Sequence, residues 1–182
     1  MEERYNKLAS REEIDSQIKK IAEDILKTYD SSPLFVALLR GAAPFTSKLM
    51  FELNRLSPDF HAELDYMMVS TYGTERTASE PHIITDLAPS TIVKGRDVVV
   101  LDDVLDKGIT ADFVYSHLKA RGAKNLQLAV LCDKKAMREK EIEADYAGFE
   151  FSDNWLTGMG MDDVSVAPEA HRWLEEIWEV KR

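Results

Sequence analysis

Apolar residues occur along this chain in short runs, separated by longer stretches in which they recur every three or four positions. The clearest runs are 97–101, 34–39 and 126–131. Runs of this length, rich in Val and Leu, are typical of strands that are buried on both faces of a sheet. Residues 61–69 and 146–151 have a more mixed pattern, and we predict that they form two further strands.

Three of the intervening stretches have the period of an amphipathic helix. A capping box that begins at Ser10 predicts a first helix ending near Tyr29. A second helix is predicted to begin at Pro44, because proline is compatible with the first turn of a helix. A third is predicted over residues 111–121, just before a glycine. A C-terminal helix is also predicted, and it carries Trp173, Leu174, Ile177 and Trp178.

The alternation of strands and helices predicts an α/β fold, with a parallel twisted sheet covered by helices on both faces. A length of 182 residues suits one domain. We expect a core of about residues 10–150 and a smaller C-terminal segment, 151–182. The segment of residues 70–91 is long and rich in turn-forming residues, a combination that is more typical of a functional flap than of a plain connection. Ligands of such sheets bind beyond the carboxyl ends of the strands.

Composition limits the classes of partner. The formal net charge is −10, and an acidic surface repels phosphate backbones, so we expect no nucleic acid as the main partner. Local amide groups can still hold a small phosphorylated ligand. No apolar run approaches the roughly 20 residues of a membrane span, and the N-terminus is polar and unlike a secretory signal. With Cys132 as the single cysteine, these features predict a cytoplasmic protein without membrane contact.

Three carboxylates follow the clearest apolar run: Asp102, Asp103 and Asp106. Gly108 and Thr110 come next, at the predicted start of a helix. Like charges this close stay ionised only where a cation or hydrogen-bond donors share the site, and a helix N-terminus binds phosphate. The pattern therefore predicts a site for a ribose phosphate. The alternatives are a solvated acidic turn, or a receiver-type signalling domain, whose acid pair follows the first strand rather than one beyond the middle of the chain.

Residues 99–110 resemble the phosphoribosyl-pyrophosphate signature of the type I phosphoribosyltransferases. The resemblance extends from about residue 34 to residue 162 and points to the hypoxanthine-guanine branch. The other segments that carry it are the pyrophosphate loop 39–41, the flap motif 70–73, the purine-recognition strand with Lys134 and 145–150, and the hood with 155–158 and Asp162.

The resemblance implies a role for each matching residue. Asp102 and Asp103 bind the ribose hydroxyls directly or through Mg²⁺, the implied cofactor. Asp106 lies near purine N7 and acts as general base or acid. The 5′-phosphate is bound by the segment that follows, which consists of Lys107, Gly108, Ile109 and Thr110.

At the other end of the substrate, the resemblance assigns pyrophosphate to Arg40 and Gly41 and, more weakly, to Arg172. Ser70 and Tyr72 belong to the flap.

The purine is assigned to the strand and hood. Lys134 donates to the exocyclic O6 and Trp155 stacks on the ring. Leu156, through its backbone, and Asp162 meet the 2-position edge, and Asp162 also lies at the water shell of a second metal ion. Without the resemblance, Lys134 would be read as a surface lysine and Trp155 as core packing.

The chain departs from the family pattern at several positions. Lys107 stands where the family often has Thr or Ser, and Ile109 stands where it has Lys or another polar residue. Beyond Asp162 the sequence differs, and the next arginine is Arg172.

The implied activity is purine salvage, in which hypoxanthine or guanine and phosphoribosyl pyrophosphate give IMP or GMP in a homodimer or homotetramer. One alternative is a regulator that binds phosphoribosyl pyrophosphate without catalysis, and another is a transferase for a different base. Lys134 opposes adenine, because two donors would face each other, but it does not oppose xanthine.

Overall fold

The computed structural model describes residues 3–72 and 78–181. Its helices are α1 (Arg11–Thr28), α2 (Ala43–Leu56) and α3 (Ile109–Ala120). Short 3₁₀ turns lie at Pro58–Phe60 and Lys135–Met137. The strands are β1 (Tyr5–Ala9), β2 (Leu34–Leu39), β3 (Glu63–Tyr72), β4 (Ala78–Thr85), β5 (Asp97–Leu105), β6 (Asn125–Asp133), β7 (Tyr146–Glu150), β8 (Leu156–Thr157) and β9 (Ile177–Val180).

The main sheet has six strands in the order β4-β3-β2-β5-β6-β7, and only β4 is antiparallel to its neighbour. Alternate residues of β2 face opposite sides. Phe35 and Ala37 pack with α1 and α2, whereas Val36 and Leu38 pack with α3. The predicted α/β fold, a mostly parallel sheet with helices on both faces, is confirmed. None of the helices in the described ranges has the length and apolar character needed to cross a bilayer.

The first two helices begin where the sequence predicts. Ser10 Oγ accepts from the Glu13 N–H at 3.3 Å, and the Glu13 carboxylate accepts from the Ser10 N–H at 2.8 Å. This capping box satisfies two amides that have no partner inside the helix. Pro44 lies in the first turn of α2, and the α2 side chains Phe45 and Leu49 are fully buried.

Strand β5 is longer than predicted, and this changes the setting of the acidic residues. The predicted strand ends at Leu101, but Asp102 pairs with Val130 and Val104 with Cys132. Asp102 and Asp103 are therefore strand residues rather than members of a solvated turn. The central strand can continue because parallel pairing with β6 satisfies its backbone groups whatever its side chains are.

The predicted C-terminal helix is wrong. Ile177–Val180 is a strand, β9, which lies between β1 and β8 in a small second sheet. Ile177 is fully buried and Trp178 nearly so, whereas Trp173 is 68% exposed in the turns before the strand. Pairing with β1, itself not predicted, outweighs the local helical spacing.

The predicted flap begins as regular structure. β3 extends three residues beyond the predicted end at Val69 and pairs with the antiparallel β4. Residues 73–77 of the predicted flap, which include Gly73 of the flap motif, lie outside the described residues.

Candidate active site

The carboxyl ends of β2, β5 and β6 meet at one edge of the main sheet, and two adjoining cavities open there. The larger, of about 590 Å³, lies between the loop after β2 and the N-terminus of α3. The smaller, of about 190 Å³, lies between the end of β5 and residues 154–162. Both are lined by Asp103, Val104, Asp106 and Arg172. This is the edge at which parallel sheets bind ligands.

The Asp102–Asp103 pair lines the larger cavity. Asp102 Oδ1 accepts from the Asp103 N–H at 3.0 Å, and Asp103 Oδ1 accepts from the Val104 N–H at 2.8 Å. Burial and the neighbouring Asp103 charge raise the pKa of Asp102 well above its ordinary value. Burial also raises the pKa of Asp103, and hydrogen bonds and Arg172 oppose this only in part. The pair therefore has an electrostatic environment that a bound cation would improve.

The loop after β2 lies against this pair. A Cβ on Gly41 would be 2.1 Å from Asp103 Oδ2, so any side chain at that position would displace the Asp103 carboxylate. Gly41 thus lets the backbone of the pyrophosphate loop, residues 39–41, approach the carboxylate directly. The side chain of Arg40 is 61% exposed and pairs with Glu169.

Asp106 and Lys134 face each other in the smaller cavity. Lys134 Nζ lies 3.2 Å from Asp106 Oδ2, and Lys134 is only 8% exposed, so it is not a surface lysine. Asp106 Oδ1 is buried and has no hydrogen-bond partner among the described residues. A buried carboxylate oxygen without a partner is costly unless a ligand completes it.

The phosphate loop, residues 106–110, leads into the N-terminus of α3. Gly108, with φ +82°, is the N-cap, and no described side chain caps the helix. The first amide groups of α3 are therefore directed to the larger cavity without an intrahelical partner. Ile109 and Thr110 line that cavity, whereas the Lys107 ammonium is paired with Glu139 at 2.6 Å.

Arg172 lines both cavities and pairs with Asp162, although the two residues are ten positions apart in the sequence. It is buried, and Nη2 lies 3.0 Å from Asp162 Oδ2 and Nε 2.5 Å from Glu169 Oε2. Nη1 donates to the Gly160 carbonyl. Glu169 also lies 3.0 Å from Arg40, so one carboxylate joins the two predicted pyrophosphate arginines.

Trp155 and Leu156 line the smaller cavity beside Asp162. Trp155 is 50% exposed, so it is not a core residue, and its ring is available to a ligand. Ser70 lies on β3 next to Val69, which lines the larger cavity. The side chain of Tyr72 lies outside the described residues.

Comparison with known proteins identifies the family in which this arrangement of residues occurs. Residues 5–163 match the model of the phosphoribosyl transferase domain. The hypoxanthine-guanine phosphoribosyltransferase of Bacillus subtilis is 36% identical over 157 residues, which cover 85% of this chain and 83% of the relative. The chain belongs to the hypoxanthine-guanine branch of the phosphoribosyltransferase family. The Lactococcus lactis enzyme of the same name is also 36% identical, over 85% of this chain and 81% of the relative.

A solved structure agrees with the phosphoribosyltransferase assignment. A hypoxanthine phosphoribosyltransferase from Staphylococcus aureus has a TM-score of 0.84 and 30% identity, covering 97% of this chain and 91% of that one. The family resemblance seen in the sequence is confirmed, and the receiver-type alternative is wrong.

The acidic pair fits the magnesium ion that the resemblance implies. In the described part of the chain, no group of three or more His, Cys, Asp or Glu residues forms a complete metal cage. Mg²⁺ bound beside a phosphorylated substrate needs only one or two carboxylates, because substrate oxygens and water complete its shell. Asp102 and Asp103, partly buried and with raised pKa values, suit that mode.

Two residues beside the site, Asp133 and Arg138, were not predicted from the sequence. Asp133, at the end of β6, is 1% exposed and pairs with Arg138, which in turn donates to the backbone of the phosphate loop. The only sign in the sequence is a carboxylate that directly follows an apolar strand.

Proposed function

We propose that this chain transfers the 5-phosphoribosyl group from phosphoribosyl pyrophosphate to hypoxanthine or guanine, giving IMP or GMP and pyrophosphate. The observation that carries the proposal is the Asp106–Lys134 pair, which lies in the smaller cavity with the half-exposed Trp155, next to the larger cavity at the N-terminus of α3. It combines a proton acceptor, an O6 donor, a stacking surface and a phosphate site.

The purine must lose a proton as its nitrogen attacks the ribose carbon. Asp106 Oδ1, which has no partner among the described residues, is suited to accept the N7 proton, while Oδ2 is held by Lys134. General-base assistance of this kind typically contributes ~10²–10⁴-fold to the rate. Lys134 also selects oxopurines, since its ammonium can donate to O6 but would face the amino group of adenine without an acceptor.

The phosphoribosyl group would lie across the larger cavity. Its 5′-phosphate would accept from the amides of residues 107–110, and its ribose hydroxyls would meet Asp102 and Asp103. Gly41 and Arg172, with Arg40, would bind the departing pyrophosphate. Donors already fixed where negative charge develops favour the oxocarbenium-like transition state over the ground state.

The proposed reaction includes Mg²⁺ as a cofactor. Asp102 and Asp103 would hold it, and Asp162 would meet the water shell of a second ion. When bound, the metal would supply positive charge against the leaving pyrophosphate. Hydrolysis of the reactive ribosyl centre would be limited by closure of residues 70–91.

We further propose a homo-oligomer in the cytoplasm. Support comes from the single buried Cys132, which does not favour a disulfide-dependent compartment, and from large exposed apolar residues such as Phe51.

Steady-state rates with hypoxanthine, guanine, xanthine and adenine test the proposal, with wild type compared to Asp106→Asn. We expect turnover of the oxopurines and a loss of about 10²-fold or more in kcat for the variant, with ribose-phosphate binding largely kept. Equal rates in the two proteins would exclude Asp106 as the base. Binding of phosphoribosyl pyrophosphate without turnover of any purine would favour the regulator instead.

A further inference from the structure

The phosphate loop packs against a buried ion pair, Arg138–Asp133, and neither residue of the pair lines the two cavities. The Arg138 side chain is only 10% exposed, and its Nη1 donates to the carbonyl oxygens of Leu105, at 3.1 Å, and of Asp106. Its Nη2 pairs with Asp133 Oδ1. One guanidinium thus joins the end of β6 to the backbone of the residue that carries the proposed base.

The segment after Arg138 contacts the same loop at further points. The N–H groups of Glu139 and Lys140 donate to the Lys107 carbonyl at 3.0 and 3.2 Å. A Cβ on Gly108 would be 2.6 Å from Ile142 Cγ2 and 3.2 Å from Arg138 Cδ. The loop therefore lies directly on residues 138–142, and its three carbonyls at positions 105–107 all accept from that segment.

Burial of an ion pair is a weak source of stability, because desolvation offsets much of the attraction between the charges. A guanidinium, however, presents its donors in a rigid planar fork: Nη1 donates to both carbonyls and Nη2 pairs with Asp133, so the two carbonyl oxygens are held in a fixed position relative to the end of β6. The two carbonyls held here lie on either side of the Asp106 Cα. Their orientation sets where the Asp106 side chain lies relative to the amides that open α3.

We propose that Arg138, held by Asp133, is a positioning residue that keeps Asp106 and the N-terminus of α3 in the register needed for ribosyl transfer. This rests on the proposed function, because that function makes the spacing of base and 5′-phosphate important. A displacement of about 1 Å at a reacting group can cost about 10²-fold in rate. Loss of the fork therefore impairs turnover and 5′-phosphate binding together.

The principal test is the double variant Asp133→Leu/Arg138→Met. It removes both charges, so that neither is left buried and unpaired, and such replacements are often neutral for stability. We expect a melting temperature within a few degrees of wild type, a kcat lower by ~10–100-fold and a weaker IMP affinity by calorimetry. A folded double variant with wild-type kcat and IMP affinity would overturn the proposal.

Arg138→Lys tests the fork separately from the charge, and it decides the matter if the double variant does not fold. Lysine can keep an ion pair with Asp133, but its single nitrogen cannot hold Asp133 and the two carbonyls from two coplanar groups as Nη2 and Nη1 do. We expect a folded protein with reduced kcat and reduced IMP affinity, whereas full restoration of both would show that charge alone matters and would overturn the proposal.

The matched control is Lys135→Met, which removes an exposed ion pair with Glu150 from the same segment. We expect wild-type values for it, and an equal loss there would also overturn the proposal. If wild type turns over no purine, the proposed function fails, but IMP affinity in the same variants still tests the role of Arg138.

Discussion

Gly160 is the point at which the hood, residues 151–182, touches the pyrophosphate loop. Its φ is +108°, and a Cβ there would lie 1.8 Å from the Gly41 carbonyl oxygen. Two separate costs would therefore follow from any side chain: a backbone conformation that L-residues avoid, and a collision with the loop beside Asp103.

Gly160→Ala should lower both stability and activity. The strained φ alone costs about 1–2 kcal/mol of unfolding free energy, and the collision adds displacement of Gly41. Gly95→Ala is the control, because Gly95 also has a positive φ, +77°, but nothing lies within 4 Å of its Cβ position. Urea unfolding should show a loss for both variants, whereas only Gly160→Ala should raise the KM for phosphoribosyl pyrophosphate. Equal KM values would mean that the contact has no role in that site.

Glu169 occupies the two arginines that pyrophosphate would use. Its carboxylate lies 2.5 Å from Arg172 Nε and 3.0 Å from Arg40 Nη1, and the Arg172 hydrogen bond and charge hold the pKa of Glu169 below its ordinary value. Glu169 therefore stays ionised at neutral pH and competes with any anion that approaches these side chains.

Glu169→Gln should strengthen pyrophosphate binding. An ion pair of a solvent-exposed carboxylate contributes little, so we expect a gain of only about 1.5–5-fold in affinity. Glu175→Gln, which removes an exposed partner of Arg11, is the control and should leave the affinity unchanged. Calorimetry with pyrophosphate measures both. A weaker affinity for the Glu169 variant would mean that the carboxylate orients the arginines instead of competing for them.

Local motifs made much of the site predictable residue by residue. Asp102 and Asp103 directly precede the phosphate loop, and Asp106 begins it. Their spacing in the sequence therefore predicts that the three carboxylates lie together at the site. Arg138 is different, because its role depends on how the chain returns after β6. The ten positions from Asp162 to Arg172 likewise give no indication that the two side chains form an ion pair.

At the scale of elements, local patterns predicted what local interactions stabilise. The capping box at Ser10 and the buried stripe of α1 are both present. The helical spacing around Ile177 was misleading, because β9 is held by a strand about 170 positions earlier in the chain, Tyr5 pairing with Val180. Non-local pairing of this kind leaves no periodic signal in either segment.

Asp65 ties the segment after β4 to β3. Its carboxylate accepts from the Ala88 N–H at 2.9 Å and from Thr91 Oγ1 at 2.5 Å, in addition to the Tyr66 N–H. Burial by itself would raise the pKa of Asp65, but these hydrogen bonds outweigh it and the pKa is lowered. The base of the predicted flap is thus attached to the core sheet by one ionised side chain.

This attachment should depend on pH. The folded state binds the Asp65 proton less readily than the unfolded state, so the stabilisation is complete above the unfolded pKa of about 3.9 and is lost as the pH falls through the lower folded pKa. Asp65→Asn should therefore lower the unfolding free energy at pH 7 and reduce its fall between pH 5 and 3. Urea unfolding across that range measures the change, with Asp59→Asn on the exposed 58–60 turn as the control. The same pH slope in wild type and Asp65→Asn would contradict the assignment.

At the scale of the whole molecule, the small sheet joins the N-terminal strand β1 to the hood, which contributes β8 and β9. Tyr5 on β1 donates its hydroxyl to Asp163 Oδ2 at 2.8 Å, and both side chains are buried. Asp163 directly follows Asp162, the partner of Arg172. The N-terminal strand therefore supports a residue of the candidate site that lies 158 positions away in the sequence.

Tyr5→Phe tests whether the Tyr5–Asp163 hydrogen bond orders the hood in addition to stabilising the fold. Loss of one hydrogen bond to a buried carboxylate costs about 1–3 kcal/mol, and the loosened hood should raise the KM for the purine several-fold. Tyr29→Phe is the matched control, because its hydroxyl donates to Gln127 near the opposite, amino-terminal end of β6. Both variants should unfold at lower urea concentration, but only Tyr5→Phe should alter the purine KM. If the two variants change that KM equally, the small sheet contributes stability to the molecule and no order to the hood.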